Sequence, residues 1–218
     1  PNIRRSFSCC SPSLFAHSSG AKIATRMKFI ILHGTLGSPE GNWFPWLAQE
    51  LEKLGHTAVR PQLPTPNGQT PENWLKIIGE SVERESLTGE DLIIVAHSSS
   101  PLAVCQYLQT RNSPVKACFF VAGFAKRLSV TEEPFPTLNN PFIDLGADWE
   151  KVRKNCHKFV CFGGDNDPYV PMDILQDFAM NLGTELIIVK GGGHLNTEFG
   201  FTQFPQLLEN INNLQYPS

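Results

Sequence analysis

The sequence lacks long hydrophobic runs and a strong excess of either charge, and each absence excludes a class of protein. Its apolar runs, such as residues 92–96, are far shorter than the roughly 20 residues that a membrane-spanning helix needs. The chain of 218 residues has 18 Lys and Arg against 21 Asp and Glu, a net charge of -3. A nucleic-acid binder needs a basic surface that neutralises phosphates. We therefore expect neither a membrane nor a nucleic acid as partner.

Metal, nucleotide and disulfide patterns are also missing. No C-x-x-C pair, H-E-x-x-H motif or glycine-rich nucleotide motif occurs, and there is no N-x-Ser/Thr glycosylation sequence. Of the 6 cysteines, four lie in or beside apolar segments, where a free thiol packs as a small hydrophobic group: Cys105, Cys118, Cys156 and Cys161. These features predict a cytoplasmic protein with no metal and no cofactor.

Residues 1–26 differ in composition from the rest of the chain. They contain Arg4, Arg5, Lys22 and Arg26, many serines and no acidic residue, and Met27 follows directly. This composition is typical of a transit peptide, which would place the protein in an organelle, or of translation upstream of a start at Met27. We prefer the second interpretation. We expect a single folded domain over residues 27–218.

Beyond residue 27, short apolar runs alternate with segments of helical period. The predicted strands are residues 28–32, 57–61, 91–96, 115–122, 158–162 and 184–189. Their continuous apolar character is expected of strands buried on both faces. Apolar residues recur every three or four positions in 44–54, 74–82, 175–182 and 204–214, which predicts amphipathic helices. The alternation predicts a three-layer α/β/α domain with a mainly parallel six-stranded sheet and no large cap domain.

Residues 123–155 interrupt this alternation. They are rich in proline and aromatic residues and show little periodicity. We interpret them as a long loop with one short helix or none, a candidate binding loop or lid.

Polar residues follow several predicted strands, where the ligand site of a parallel sheet lies. Ser98 follows the third strand, Asp167 the fifth and His194 the sixth. Taken singly, each of them could be an ordinary turn residue. The chain order Ser, Asp, His is the order of the triad in α/β-hydrolases.

Ser98 lies where a sharp turn from strand to helix would project its hydroxyl. A serine is a weak nucleophile until a base removes its proton, and the following helix can supply N–H groups to an oxyanion. Pro101 suits the first turn of that helix, because its missing N–H has no partner there. The turn is usually G-x-S-x-G, whereas Ala96 and Ser100 flank Ser98 here.

The partners of Ser98 are predicted from the other strand ends. His194 would be the general base, and Asp167 would orient it, with Asp165 as the alternative acid. Gly34 permits a tight turn after the first strand. The backbone N–H groups of Thr35 and Ser99 would then form the oxyanion hole. Alternatively, Ser99 and Ser100 could be simple helix caps.

Over residues 28–214 the sequence resembles the small serine hydrolases of the α/β-hydrolase superfamily, of the retinoblastoma-binding-protein and YdeN-like type. The resemblance rests on I-L-H-G-T (31–35), N-W-F-P-W-L (42–47), A-H-S-S-S (96–100), F-G-G-D-N-D-P-Y-V-P (162–171) and G-G-H-L-N-T-E-F (192–199). It implies that Ser98 is the nucleophile, Asp167 the acid and His194 the base. The family usually has glycine before His97 and often at position 100, so the turn departs from its pattern here.

These observations predict a serine hydrolase that cleaves small to medium acyl esters, amides or thioesters, with carboxylesterase activity preferred. Its partner would be a small acyl substrate, and a protein partner is left open. Six aromatic residues are candidates for the acyl pocket: Trp43, Trp46, Phe124, Phe135, Phe142 and Tyr169. The alternative is a non-catalytic binding protein on a degenerate hydrolase scaffold, for which Ala96 and Ser100 are the best support.

Overall fold

The computed structural model describes residues 26–84 and 91–215. The leader predicted for residues 1–26 lies outside the described residues except for Arg26. Six parallel strands form one sheet: β1 (Lys28–Leu32), β2 (Thr57–Val59), β3 (Leu92–His97), β4 (Ala117–Val121), β5 (Phe159–Gly164) and β6 (Leu186–Val189). Their order is β2-β1-β3-β4-β5-β6. The predicted parallel sheet is confirmed, and each strand agrees with its prediction to within two residues at either end.

The four central strands are buried as their apolar runs predict, but the two edge strands are not. Every residue of β3, β4 and β5 is buried, and β1 is buried from Phe29 onward. In contrast, β2 and β6 are only partly buried. The prediction of burial on both faces is therefore wrong for β2 and β6, because an edge strand has a neighbour on one side only.

Helices cover both faces of the sheet. They are α1 (Phe44–Lys53), α2 (Pro71–Arg84), α3 (Ser100–Leu108), α4 (Phe135–Leu145), α5 (Trp149–Lys154), α6 (Met172–Asn181) and α7 (Pro205–Gln215), with a short 3-10 helix (Thr197–Phe199) before α7. Side chains of α1 and α7 pack on one face in one buried cluster, and those of α2 to α6 pack on the other face. The three-layer prediction is confirmed.

The interpretation of residues 123–155 as mainly a loop is wrong, since the segment contains α4 and α5. Proline conceals α4 in the sequence. Pro136 lies in its first turn, where no N–H is needed, and Pro141 is accommodated inside the helix. Leu138 and Phe142, one turn apart, bury the same face of α4, and the Phe142 ring packs 4.9 Å from the Trp74 ring. Asp148 caps α5 by accepting from the Lys151 N–H.

The cysteines in the described ranges pack as predicted. Cys105, Cys118, Cys156 and Cys161 are free and buried. Burial raises the pKa of the Cys161 thiol to about 12 and raises the pKa values of Cys105 and Cys118 as well. Because the thiolate is the reactive form, the thiols of Cys105, Cys118 and Cys161 are poor nucleophiles at neutral pH.

Candidate active site

The candidate site lies at the carboxyl ends of β1, β3, β5 and β6. Neighbouring strands β1 and β3 lead to α helices on opposite faces of the sheet, and such a reversal opens a crevice at the strand ends. Ser98 follows β3 with a φ of 65°, in the left-handed region that non-glycine residues rarely adopt. Its N–H donates to the Val121 carbonyl at 2.8 Å, which ties the turn to β4. The Ser98 hydroxyl is thereby projected from a fixed turn.

The structure brings Ser98, His194 and Asp167 together in one hydrogen-bonded chain. Ser98 Oγ lies 2.9 Å from His194 Nε2, and His194 Nδ1 lies 2.8 Å from Asp167 Oδ2. A carboxylate only accepts hydrogen bonds, so Nδ1 carries the proton and Nε2 is free to accept from the Ser98 hydroxyl. The Asp167 side chain is fully buried, and its Oδ1 accepts from the N–H groups of Tyr169 and Val170. This arrangement can remove a proton from Ser98.

Asp165, the alternative acid, has a different contact. Its Oδ1 accepts from the Gly191 N–H at 2.7 Å, and Asn166 Oδ1 accepts from the Gly193 N–H at 2.7 Å. These two side chains therefore hold the loop that carries His194. A β-carbon on Gly193 would lie 2.1 Å from the Phe199 ring, so this tight loop requires glycine there.

His97 contacts both the backbone and the ring of His194. Its Nε2 donates to the His194 carbonyl at 2.9 Å, and the two rings meet edge to face with centroids 4.9 Å apart. Burial lowers the pKa of His97 to about 3, so its ring is neutral. His97 thus fixes the backbone of His194 without placing a second positive charge beside it.

The unusual flanks of Ser98 are both accommodated. Ala96 is buried within β3. Ser100 Oγ accepts from the His97 N–H at 3.1 Å. The Ser100 hydroxyl donates to the carbonyl oxygens of His97 and Leu32, which lie 2.9 and 3.2 Å from Oγ. The Ser100 side chain therefore links the turn to β1, a contact that glycine could not make.

Thr35 and Ser99, the predicted oxyanion pair, are adjacent beside Ser98. A β-carbon on Gly34 would lie 2.7 Å from Ser98 Cβ, so glycine allows this close approach. The Thr35 N–H donates to Ser99 Oγ at 2.9 Å. Within the described residues, the Ser99 N–H has no hydrogen-bond acceptor. The Ser99 side chain thus occupies one of the two predicted donors, a contact that the sequence did not indicate.

A cavity of about 250 Å³ opens at Ser98 and His194. Of the six aromatic residues predicted to line it, Phe124, Phe135 and Tyr169 do so. The other three do not. Trp43 and Phe142 are core residues, and Trp46 packs against the core cluster that contains Trp43. They differ from the prediction because each lies on the apolar face of its helix or turn, which points toward the sheet.

Several polar residues at the site had no clear signal in the sequence. Gln69 and Asn139 are buried beside Thr35, and Asn42, Asn196 and Glu198 line the cavity. Glu198 accepts from the Tyr169 hydroxyl at 2.8 Å, and this bond is the main cause of a raised Tyr169 pKa. Only Asn139 could have been noticed, as a polar residue on the apolar face that Leu138 and Phe142 define.

The described ranges contain neither a metal site nor a membrane-spanning helix. No group of three or more His, Cys, Asp or Glu side chains in residues 26–84 and 91–215 is arranged to bind a metal ion. None of the helices in these ranges is long and apolar enough to cross a bilayer.

Comparisons with known proteins show which family the chain belongs to. The family model described as serine hydrolase matches residues 29–213. The chain is 28% identical over 181 residues to the serine hydrolase RBBP9 of Rattus norvegicus, covering 81% of this chain and 92% of that protein. The structure of the ydeN gene product from B. subtilis has a TM-score of 0.77 at 26% identity, covering 86% of this chain and 98% of that one.

A more distant structure shares the fold alone. Est1E from Butyrivibrio proteoclasticus has a TM-score of 0.63 at 16% identity, covering 89% of this chain and 87% of that one. The resemblance inferred from the sequence motifs is confirmed by the family model, RBBP9 and YdeN. The chain belongs to the serine hydrolase family and is an α/β-hydrolase of the RBBP9 and YdeN type.

Proposed function

We propose that this serine hydrolase is a carboxylesterase that cleaves small to medium acyl esters through an acyl-enzyme on Ser98. The observation that carries the proposal is the hydrogen-bonded chain from Ser98 Oγ through His194 to the buried Asp167 carboxylate. A serine, a base and an acid in this order form the minimum set for nucleophilic acyl transfer.

Acylation begins when Ser98 Oγ attacks the acyl carbon and His194 Nε2 takes the hydroxyl proton. The negative charge moves to the carbonyl oxygen, and Asp167 stabilises the imidazolium. When the tetrahedral intermediate collapses, the bond to the leaving group breaks, and His194 returns the proton to the departing alcohol. Water then attacks the acyl-enzyme with His194 again as base, which releases the acid and restores Ser98.

The oxyanion would accept from the backbone N–H groups of Ser99 and Thr35. The Ser99 N–H lies in the turn that leads into α3, where backbone donors lack partners in the helix. The Thr35 N–H donates to Ser99 Oγ in the structure and would transfer to the oxyanion, because a bond to a charged acceptor is stronger than one to a hydroxyl.

The size and lining of the cavity support a small to medium acyl group. Its volume of about 250 Å³ is just below the range of about 300–1,000 Å³ for drug-sized ligands. Part of its wall is apolar, formed by Phe124, Leu128, Val130, Phe135 and Val170. An acyl chain of a few carbons would bury its apolar surface there, whereas a long lipid chain would extend into water.

Hydrolysis of a series of p-nitrophenyl esters tests this proposal. We expect kcat/KM to be highest for butyrate or octanoate and lowest for palmitate. We expect Ser98→Ala to lower kcat by at least about 10³-fold, because the nucleophile is removed. Ser38→Ala, at an exposed serine in the loop before α1, is the matched control and should retain full activity. Equal activity of wild type and Ser98→Ala would overturn the proposal.

A further inference from the structure

A buried group of polar side chains lies behind the backbone of Thr35. Thr35 Oγ1 is 2.5 Å from Asn139 Oδ1, 2.7 Å from Gln69 Nε2 and 2.8 Å from Ser99 Oγ. Gln69, Asn139 and Ser99 are each less than 10% exposed, at 5%, 8% and 4%. They come from separate segments: the loop before α2, α4, and the turn before α3. Four parts of the chain thus meet at one threonine hydroxyl.

The donors and acceptors of this group allow a single arrangement of protons. The Asn139 oxygen only accepts, so the Thr35 hydroxyl donates to it, while Gln69 Nε2 donates to Thr35 Oγ1. Thr35 has then no hydroxyl hydrogen for Ser99, so the Ser99 hydroxyl must donate to Thr35 Oγ1. The Ser99 oxygen in turn accepts from the Thr35 N–H. Each contact therefore restrains the orientation of Thr35.

Gln69 restrains the next residue as well. Its Oε1 accepts from the Thr65 hydroxyl at 2.7 Å, and Thr65 Oγ1 accepts from the Leu36 N–H at 2.8 Å. Gln69 Nε2 also reaches the Leu138 carbonyl at the start of α4 at 3.2 Å. Gln69 consequently connects two consecutive residues of the loop after β1 to α4.

We propose that Asn139 and Gln69 are positioning residues that hold the Thr35 N–H in the orientation needed by the oxyanion. The inference rests on the proposed function. An unpaired buried amide would be costly, so the site is most stable when Thr35 takes this one orientation. Because the backbone of Thr35 is held in place, only the acceptor of its N–H has to change, from Ser99 Oγ to the oxyanion, and the donor itself does not have to move. The side chain of Thr35 thereby acts on catalysis through its own backbone.

The arrangement also assigns a role to α4. Phe135, one turn before Asn139, lines the cavity, and Asn139 both lines the cavity and accepts a hydrogen bond from Thr35. The same helix therefore contributes two side chains to the wall of the cavity, and one of them, Asn139, also contacts the oxyanion loop.

Two matched pairs of variants test the inference. Thr35→Val removes the hydroxyl at nearly constant shape, and Thr35→Ser keeps it. Asn139→Leu removes the acceptor, and Asn140→Leu makes the same change at the next, half-buried residue of α4, which makes no contact with Thr35 in the described structure. We expect Thr35→Val and Asn139→Leu to lower kcat about 10- to 100-fold at nearly constant KM, short of the loss when an oxyanion donor is deleted outright. Asn140→Leu should stay within about threefold of wild type, and Thr35→Ser should recover most of the kcat that Thr35→Val loses, because it restores the hydroxyl.

A second readout separates positioning from general destabilisation. Trifluoromethyl ketones form a tetrahedral oxyanion on the serine. Their affinity should fall in parallel with kcat in Thr35→Val and Asn139→Leu. The affinity for a product carboxylate should stay unchanged in both variants. The kcat of the double variant Thr35→Val/Asn139→Leu should be only slightly lower than that of either single variant, because both substitutions act through the backbone N–H of Thr35. If Asn139→Leu fails to fold, Gln69→Met, which has no donor for Thr35 Oγ1, replaces it with the same expectation.

Unchanged kcat in Asn139→Leu or Gln69→Met, or a rise in KM alone, would overturn the inference and leave the proposed function intact. Loss of ketone affinity and of product binding by the same factor would also overturn it, since that result indicates a purely structural role. Failure of the wild-type protein to hydrolyse any ester would instead contradict the proposed function.

Discussion

Asp165 and Asp167 lie two residues apart, but their carboxylates have different partners. Asp167 accepts from His194 Nδ1, and Asp165 accepts from the Gly191 N–H. We predict that Asp167→Asn lowers kcat for p-nitrophenyl butyrate by about 10⁴-fold, because an amide can hold His194 in the wrong tautomer. Asp165→Asn keeps an oxygen for Gly191 and should cost less than about tenfold. A larger loss in Asp165→Asn would show that the acid has been assigned to the wrong residue.

His97 makes the stability of the protein depend on pH. Its pKa is about 3 in the folded protein and near 6.5 in an unfolded chain. Between these values the unfolded state binds more protons, so stability is fully present above pH 6.5 and declines as the pH falls, by up to about 1.4 kcal/mol per unit. Urea unfolding at pH 7.5 and 5.0 should show this loss, and His97→Gln should reduce it. Equal losses in both proteins would argue against a neutral buried His97.

Some residues of the site can be predicted from the sequence, and others cannot. The positions of Ser98, Asp167 and His194 follow from the strand ends, because parallel strands bring their carboxyl ends to one edge. Trp43 and Phe142 lie in the core and not in the predicted acyl pocket, because an aromatic residue suits a core and a pocket equally well. Gln69 and Asn139 were missed because their partner, Thr35, is more than 30 residues away in the chain. Long-range polar contacts have no local pattern.

At the scale of elements, the turn between β3 and α3 departs from G-x-S-x-G yet is well bonded. Ser100 joins it to the Leu32 carbonyl at the end of β1. We predict that Ser100→Gly, which restores the common motif, lowers the free energy of unfolding by about 1–3 kcal/mol, because buried backbone groups lose a partner. Urea unfolding measures this loss, and Ser38→Ala serves as the control. A stabilised Ser100→Gly would mean that the serine strains the turn.

The helices of residues 123–155 show the limit of periodicity. Prolines are usual in turns and therefore favour a loop there, but α4 accommodates both of its prolines, Pro136 in its first turn and Pro141 in its interior. What stabilises α4 is the packing of Phe142 on Trp74, a contact between distant parts of the chain. Tertiary packing of one face outweighs local preference there.

For the whole molecule, the layers and the parallel sheet were predictable, because every apolar run and helical period agrees with one architecture. The edge position of β2 and β6 was not, since strand order depends on packing between elements. The near-neutral net charge of -3 is compatible with a cavity that takes uncharged acyl groups.

Met27 marks the start of the predicted folded domain and is held by several contacts. Met27 is buried, its N–H donates to His56 Nδ1, and its carbonyl accepts from the Thr57 N–H. We predict that a chain beginning at Met27 keeps its Tm to within about 2 °C and its full esterase activity, because these contacts remain. Calorimetry beside the full-length chain measures the difference. A large fall in Tm would show that residues before Met27 contribute to the fold.

The most direct test of the central claim is covalent labelling with a fluorophosphonate probe, followed by intact-mass measurement and peptide mapping. An activated serine reacts with the probe, whereas an ordinary serine does not. We predict one adduct per chain, on Ser98, and no adduct on Ser98→Ala or on heat-denatured protein. An adduct that persists in Ser98→Ala, or no labelling of the folded wild-type protein, would contradict the assignment of Ser98 as the nucleophile.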